Sequence, residues 1–149
     1  MAGNSTPQFC KNGTFGTPKN VTAANTSSDG GGTIATDIFL VFTADATNGS
    51  LVEFVRFIAA ATTPTTTTAT VGRVFASSQT SGATTNANTH LLAEVVLPAT
   101  AADNTATAGN PIDVPLNVRL PAGWTILVTN HAAPAANSAW RVTPFAGDY

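Results

Sequence analysis

Ile112-Asp113-Val114-Pro115-Leu116-Asn117-Val118-Arg119-Leu120 is the stretch that decides the fold. Ile112, Val114, Leu116, Val118 and Leu120 fall on one side of an extended chain, and Asp113, Pro115, Asn117 and Arg119 fall on the other. A period of two held this long describes a β-strand with one face on a core and the other turned away. Pro115 has no N–H to give to a ladder, so the strand belongs at a sheet edge or carries a bulge.

The flanking sequence repeats the theme. Downstream, Pro121-Ala122-Gly123 is a tight turn, followed by strands at 124–130 (WTILVTN) and 138–145 (SAWRVTPF). Upstream lie 89–97 (THLLAEVVL), 69–76 (ATVGRVFA), 51–60 (LVEFVRFIAA) and 33–43 (TIATDIFLVFT), all dense in β-branched or aromatic residues. Asn48-Gly49 between the last two is a hairpin signal. In 51–60, plain alternation puts Val52, Phe54 and Ile58 on one face and Leu51, Val55 and Phe57 on the other. Both faces are then apolar, as in a sandwich or at an interface. Short, evenly spaced strands, without an amphipathic helix or a fixed-period repeat, predict an all-β, jelly-roll-like antiparallel β-sandwich over residues 33–149. Residues 1–32 are rich in Asn, Thr, Gly and Ser and end in Ser28-Asp29-Gly30-Gly31-Gly32. They read as an extended N-terminal arm on a Gly-rich hinge, with Phe9, Phe15 and Val21 as anchors on a neighbouring subunit. On that reading, deleting residues 2–30 leaves the fold intact and weakens particle binding.

Composition narrows the function. Charged residues make up 9% of the 149-residue chain, against about 25% in an ordinary soluble domain. Thr, Ala, Asn, Ser and Gly take their place. Immobilising a Lys or Glu side chain costs about 1.5–2 kcal/mol of entropy, and these smaller residues cost less. Such a surface suits burial against protein. The net charge is −2, with no basic stripe, which argues against a nucleic-acid partner. No apolar run nears the ~20 residues of a bilayer span. The N-terminal residues lack the basic and apolar regions of a secretory signal, so the chain is expected to stay in the cytoplasm where it is made unless a particle carries it out. The single cysteine, Cys10, precludes an intrachain disulfide.

Motifs for phosphate cradling, nucleophilic catalysis or zinc hydrolysis are absent. His90 and His131 stand alone at strand edges, without a second ligand at metal-binding spacing. The expectation is therefore no catalytic, cofactor-binding or metal-ligating residues, and no cofactor. Asp37, Glu53, Glu94, Arg56, Arg73, Arg119 and Arg141 fall within predicted strands and should pair across strands or across an interface. Glu53, Arg56 and Phe57 are the candidates for a subunit contact, with Tyr149 as a further anchor. A different possibility rests on Trp124, Trp140 and Tyr149, aromatic platforms of the kind that bind sugars.

Several stretches carry a resemblance: 35–44 (ATDIFLVFTA), 48–57 (NGSLVEFVRF), 69–75 (ATVGRVF), 120–124 (LPAGW), 140–143 (WRVT) and 146–149 (AGDY). In this order and spacing they are similar to the small jelly-roll virion proteins of tailed bacteriophages, the capsid cement or decoration proteins. The resemblance covers 33–149 and not the leader. It implies a non-enzymatic structural protein on the outer surface of the virion. Such a protein binds the major capsid protein and itself, as a homodimer or homotrimer, and takes neither nucleic acid nor membrane as a partner. The alternative is a carbohydrate- or receptor-binding head-fibre or tail-associated module.

Overall fold

The computed structural model describes residues 10–103 and 110–149. The strands are β1 (Asn12–Phe15), β2 (Lys19–Val21), β3 (Gly32–Thr33), β4 (Phe39–Thr43), β5 (Ser50–Ala61), β6 (Thr65–Thr66), β7 (Thr70–Ser77), β8 (Ala83–Thr84), β9 (Thr89–Leu97), β10 (Ala101–Ala102), β11 (Ile112–Leu120), β12 (Thr125–Asn130) and β13 (Ser138–Asp148). Among the described residues there is no helix. Two antiparallel sheets form a β-sandwich. The first runs β1-β13-β5-β11, with β2 also on β13, and the second runs β4-β12-β7-β9. Two-residue ladders, β3 with β8 and β6 with β10, tie loops to the body.

β1 and β2 form one interrupted edge strand: Asn12–Phe15 lie opposite Phe145–Asp148, and Lys19–Val21 opposite Trp140–Val142. With these two taken as one strand, the long strands appear in chain order first, eighth, third, sixth in one sheet and second, seventh, fourth, fifth in the other. Every connection between consecutive long strands therefore crosses between sheets, except β7 to β9. The turn at Asn48-Gly49, expected to close a hairpin, is one of these crossings. Gly49 takes a positive φ of 76° there, and a side chain on it would strike the Leu120 carbonyl at 2.3 Å. The Pro121-Ala122-Gly123 turn crosses beside it. The Asp45 carbonyl accepts from both Gly49 N and Gly123 N, at 3.1 and 3.2 Å. One carbonyl thus holds two crossings at the same end of the sandwich.

The core between the sheets is built from both inner faces. Val52, Val55, Phe57, Val142 and Trp140 come from the first sheet, and Val41, Val74, Ile126 and Val128 from the second; all have 0% exposure. β11 is an edge strand and its register to β5 shifts between Pro115 and Val118, so both devices that Pro115 predicted are present. The same irregularity runs through β5, where Glu53 is skipped in the pairing with β13. The extra residue reverses the alternation. Val52 shares the core face with Val55 and Phe57, while Phe54, Arg56 and Ile58 point outward. The simple alternation that grouped Phe54 with Val52 is corrected on that ground.

The N-terminal segment is also corrected. Residues 10–32 are integral to the sandwich they were expected to leave. Beyond β2, the chain crosses the outer face of the second sheet as a strap. Asn25 N donates to Asn130 O at 2.7 Å, and Arg73 Nη1 donates to Asn25 O at 3.2 Å. Asn25 Nδ2 reaches Gly31 O and Asp37 Oδ2, both at 3.1 Å. Ile38, buried under the strap, packs with Phe75 and Leu127 in a second small core. The Gly30–Gly32 stretch is clamped and does not hinge. Gly30 has φ 83° and lies so close to Thr89 that an added Cβ would meet Thr89 Cγ2 at 2.5 Å.

Candidate interaction face

The outer face of the second sheet is occupied by the strap, and no described segment of the chain covers the outer face of the first. Outward residues of β5, β13 and β1 meet there. Phe54 and Phe145 stack at a ring-centroid distance of 4.2 Å, and Phe15 stands edge-on to Phe145 at 5.2 Å. Phe15 is 71% exposed. It lies on the two-strand rim where it touches only one ring, so burial by its own chain leaves most of it in water.

Arg56 sits beside this aromatic group. Its Nε and Nη2 donate to the two Asp113 carboxylate oxygens at 2.7 and 2.8 Å, a bidentate cross-strand pair set by the register of β11 on β5. Its guanidinium also lies 5.2 Å from the Phe145 ring centre and 5.6 Å from that of Phe54. Hydrogen bonds from Arg56 hold the Asp113 carboxyl below the usual carboxylate range, partial burial opposes them, and the charge of Arg56 adds to the lowering. At the bulge, Leu51, Glu53, Phe54, Asp113, Pro115 and Asn117 line a shallow cleft of about 540 Å³. Asn117 has φ 49° there, an unusual backbone for a residue with a side chain.

The expected interface residues separate cleanly. Phe15 and Arg56 belong to this face, and Glu53 borders it. Val21 and Phe57 have 0% exposure and lie in the subunit's own core, so neither can anchor a neighbour. Val21 is drawn in because β2 pairs with β13 beside Trp140; Phe57 is drawn in by the Glu53 bulge. Phe9 lies outside the described residues. Tyr149 is half-buried, with the Arg119 guanidinium 4.5 Å from its ring centre, so its ring is engaged within the chain. Phe54 and Phe145 were missed by sequence reasoning. The signal available was Phe54-Val55-Arg56, an aromatic and a cation flanking a core valine.

Two exposed apolar side chains lie elsewhere, on edge strand β9 of the second sheet. Leu91 and Val96 are 44% and 73% exposed. Inboard of them Arg73, buried, donates from Nε to Glu94 at 2.6 Å. Its Nη2 stands 3.4 Å from His131 Nδ1.

The sugar-platform residues are placed differently. Trp140 is fully buried in the core, and half-buried Trp124 has its ring stacked on His90 at 5.8 Å. Among the described residues, no three of His, Cys, Asp or Glu are grouped so as to hold a metal ion. Among the described residues, no helix is long and apolar enough to cross a membrane. No protein-family model, no curated protein and no solved structure matches the chain.

Proposed function

We propose that the chain is a structural coat protein of a tailed-bacteriophage virion, a non-enzymatic jelly roll that self-associates and covers the capsid surface by binding the major capsid protein. The observation that carries this reading is the aromatic face of the first sheet, which no described segment of the chain covers. Exposed Leu91 and Val96 on edge strand β9 of the other sheet offer further apolar contacts. A coat subunit needs one contact with its own kind and another with the shell. Each contact need bury only about 800 Å² per partner, because linked contacts multiply through effective concentration. The strand order supports the jelly-roll reading, since it places successive strands in alternate sheets as two interlocked Greek keys do. The low charge fits surfaces that end up against protein.

Co-sedimentation tests the proposal. The purified chain is mixed with shells assembled from the major capsid protein encoded beside it. Saturable binding at a fixed ratio of copies per capsid subunit is the expected result. Failure to pellet with shells, or the absence of a capsid gene beside its own, would sink the reading. Glycan binding would have to use residues other than buried Trp140, so the sugar-binding alternative is not favoured.

A further inference from the structure

We infer that the aromatic face of the first sheet is closed by a second copy of this chain, about a two-fold axis lying in the face and crossing its strands. The inference rests on the self-association proposed above and names the face and symmetry that provide it. Two exposed charges, Arg141 and Glu53, have neither a hydrogen bond nor an ion pair among the described residues. They stand at opposite ends of the same face. Arg141, on β13, is opposite Ile58, and Glu53 sits in the bulge five positions along β5. At roughly 3.3 Å per residue, about 16 Å separates them along the strands. Between them lie the Phe54 and Phe145 rings and Arg56, whose charge is already taken up by Asp113. Each free charge also borders a cleft: Arg141 one of about 550 Å³, Glu53 one of about 540 Å³.

This arrangement is self-complementary in one orientation. An axis across the strands reverses their direction, so Arg141 of each copy meets Glu53 of the other, giving two equivalent ion pairs around an aromatic centre. β13 and β5 are neighbours, so the lateral offset is only about one strand spacing, ~4.8 Å, within reach of both side chains. An axis along the strands would instead set Arg141 level with Arg141 and Glu53 level with Glu53, which like-charge repulsion disfavours. An isologous interface needs such a matched pair placed about its axis. The size also fits: twelve residues of β5 and four strands give a face of roughly 35 by 19 Å. With side-chain relief, that approaches the ~800 Å² per partner of a standard interface.

Charge exchange tests it. Solution mass, by sedimentation equilibrium, should show a dimer. Glu53→Arg alone and Arg141→Glu alone should each weaken dimerisation by at least about ten-fold. The double variant E53R/R141E should return it to within about three-fold of the parent, since it restores opposite charges in the same geometry. The rescue also shows that the single variants had not simply misfolded. For the unaltered chain, raising salt should weaken the dimer several-fold. A monomeric or trimeric parent chain, or a dimer indifferent to both reversals, overturns the inference. A chain that coats shells as a monomer leaves shell binding standing and removes both self-association and this interface. A charge-exchangeable dimer that never binds shells does the reverse.

Discussion

Both sheets carry large apolar side chains on their outer faces and treat them in opposite ways. On the second sheet, Phe75 and Leu127 point outward and are still fully buried, because Ile38 packs on them beneath the strap, which is fastened by Arg73 and Asn130. On the first sheet, Phe54 and Phe145 point outward with no described segment across them, and Phe15 remains largely in water. Outward aromatic residues are therefore not in themselves a sign of an interface. What distinguishes the two faces is whether the chain spends its own backbone on covering them.

The largest break in this contrast comes from removing the cover. Deleting residues 2–30 takes away both pieces of an edge strand and the Asn25 fastening of the strap, uncovering Val142 and Trp140 and loosening the cover over Phe75 and Leu127. Re-exposing one such side chain costs about 1.5–3 kcal/mol, and a domain has only about 5–15 kcal/mol in all. The truncated chain should lose its cooperative thermal transition in circular dichroism; a truncated chain that melts like the parent would show the strap to be dispensable. This reverses the expectation raised by the leader's composition. A single substitution under the strap, Phe75→Ala, should lower unfolding stability in urea by about 3–5 kcal/mol, whereas Phe15→Ala on the bare face should cost under about 1 kcal/mol.

Arg73→Ala should act between these extremes, by about 2 kcal/mol, because it strips a buried donor from the Asn25 carbonyl while leaving Glu94 free to turn to solvent. Its mark should be local, with amide exchange quickening across residues 25–38 before the rest of the sandwich. The smallest effect concerns acid. Asp29 in the strap and Asp113 on the bare face both have carboxyls held below the ordinary range, Asp29 mainly by the Ser27 hydroxyl and Gly31 N, Asp113 mainly by Arg56. Depressed carboxyls lend stability that is complete above the unfolded value of about 3.9 and is lost as pH falls through the lower folded value. Asp113→Asn should therefore lower stability slightly at neutral pH and flatten the loss below about pH 4 by the same small amount, as urea melts at stepped pH would register.

Much of the fold was legible in the sequence. The strands at 51–60, 69–76, 89–97, 112–120, 124–130 and 138–145 lie within a residue or a few of β5, β7, β9, β11, β12 and β13, because hydrophobic alternation is local. Pro115 announced its edge and bulge for the same reason. The distribution between sheets was not legible: Asn48-Gly49 fixes a tight turn but not whether the next strand pairs beside the last or crosses over. The strap was hidden because its fastenings, Asn25, Asp37 and Arg73, meet through backbone carbonyls and side chains far apart in sequence. Of the contact residues, Phe15, Glu53 and Arg56 could be picked out as apolar or charged groups in awkward places. Val21 and Phe57 could not be sorted from them without β13 alongside and the bulge at Glu53.

The pairing of β1 with β13 governs how the molecule comes into being. Asn12 waits for Asp148, and at about 5–20 residues per second the ribosome takes roughly ten seconds or longer to supply it. During that interval the early strands have no ladder partner of their own and must stay soluble on Thr, Asn and Gly. Closure of the sandwich thus waits until β13 has been made and is slow as non-local β pairing is slow, and polar residues that look idle in the finished molecule help keep the early strands from sticking.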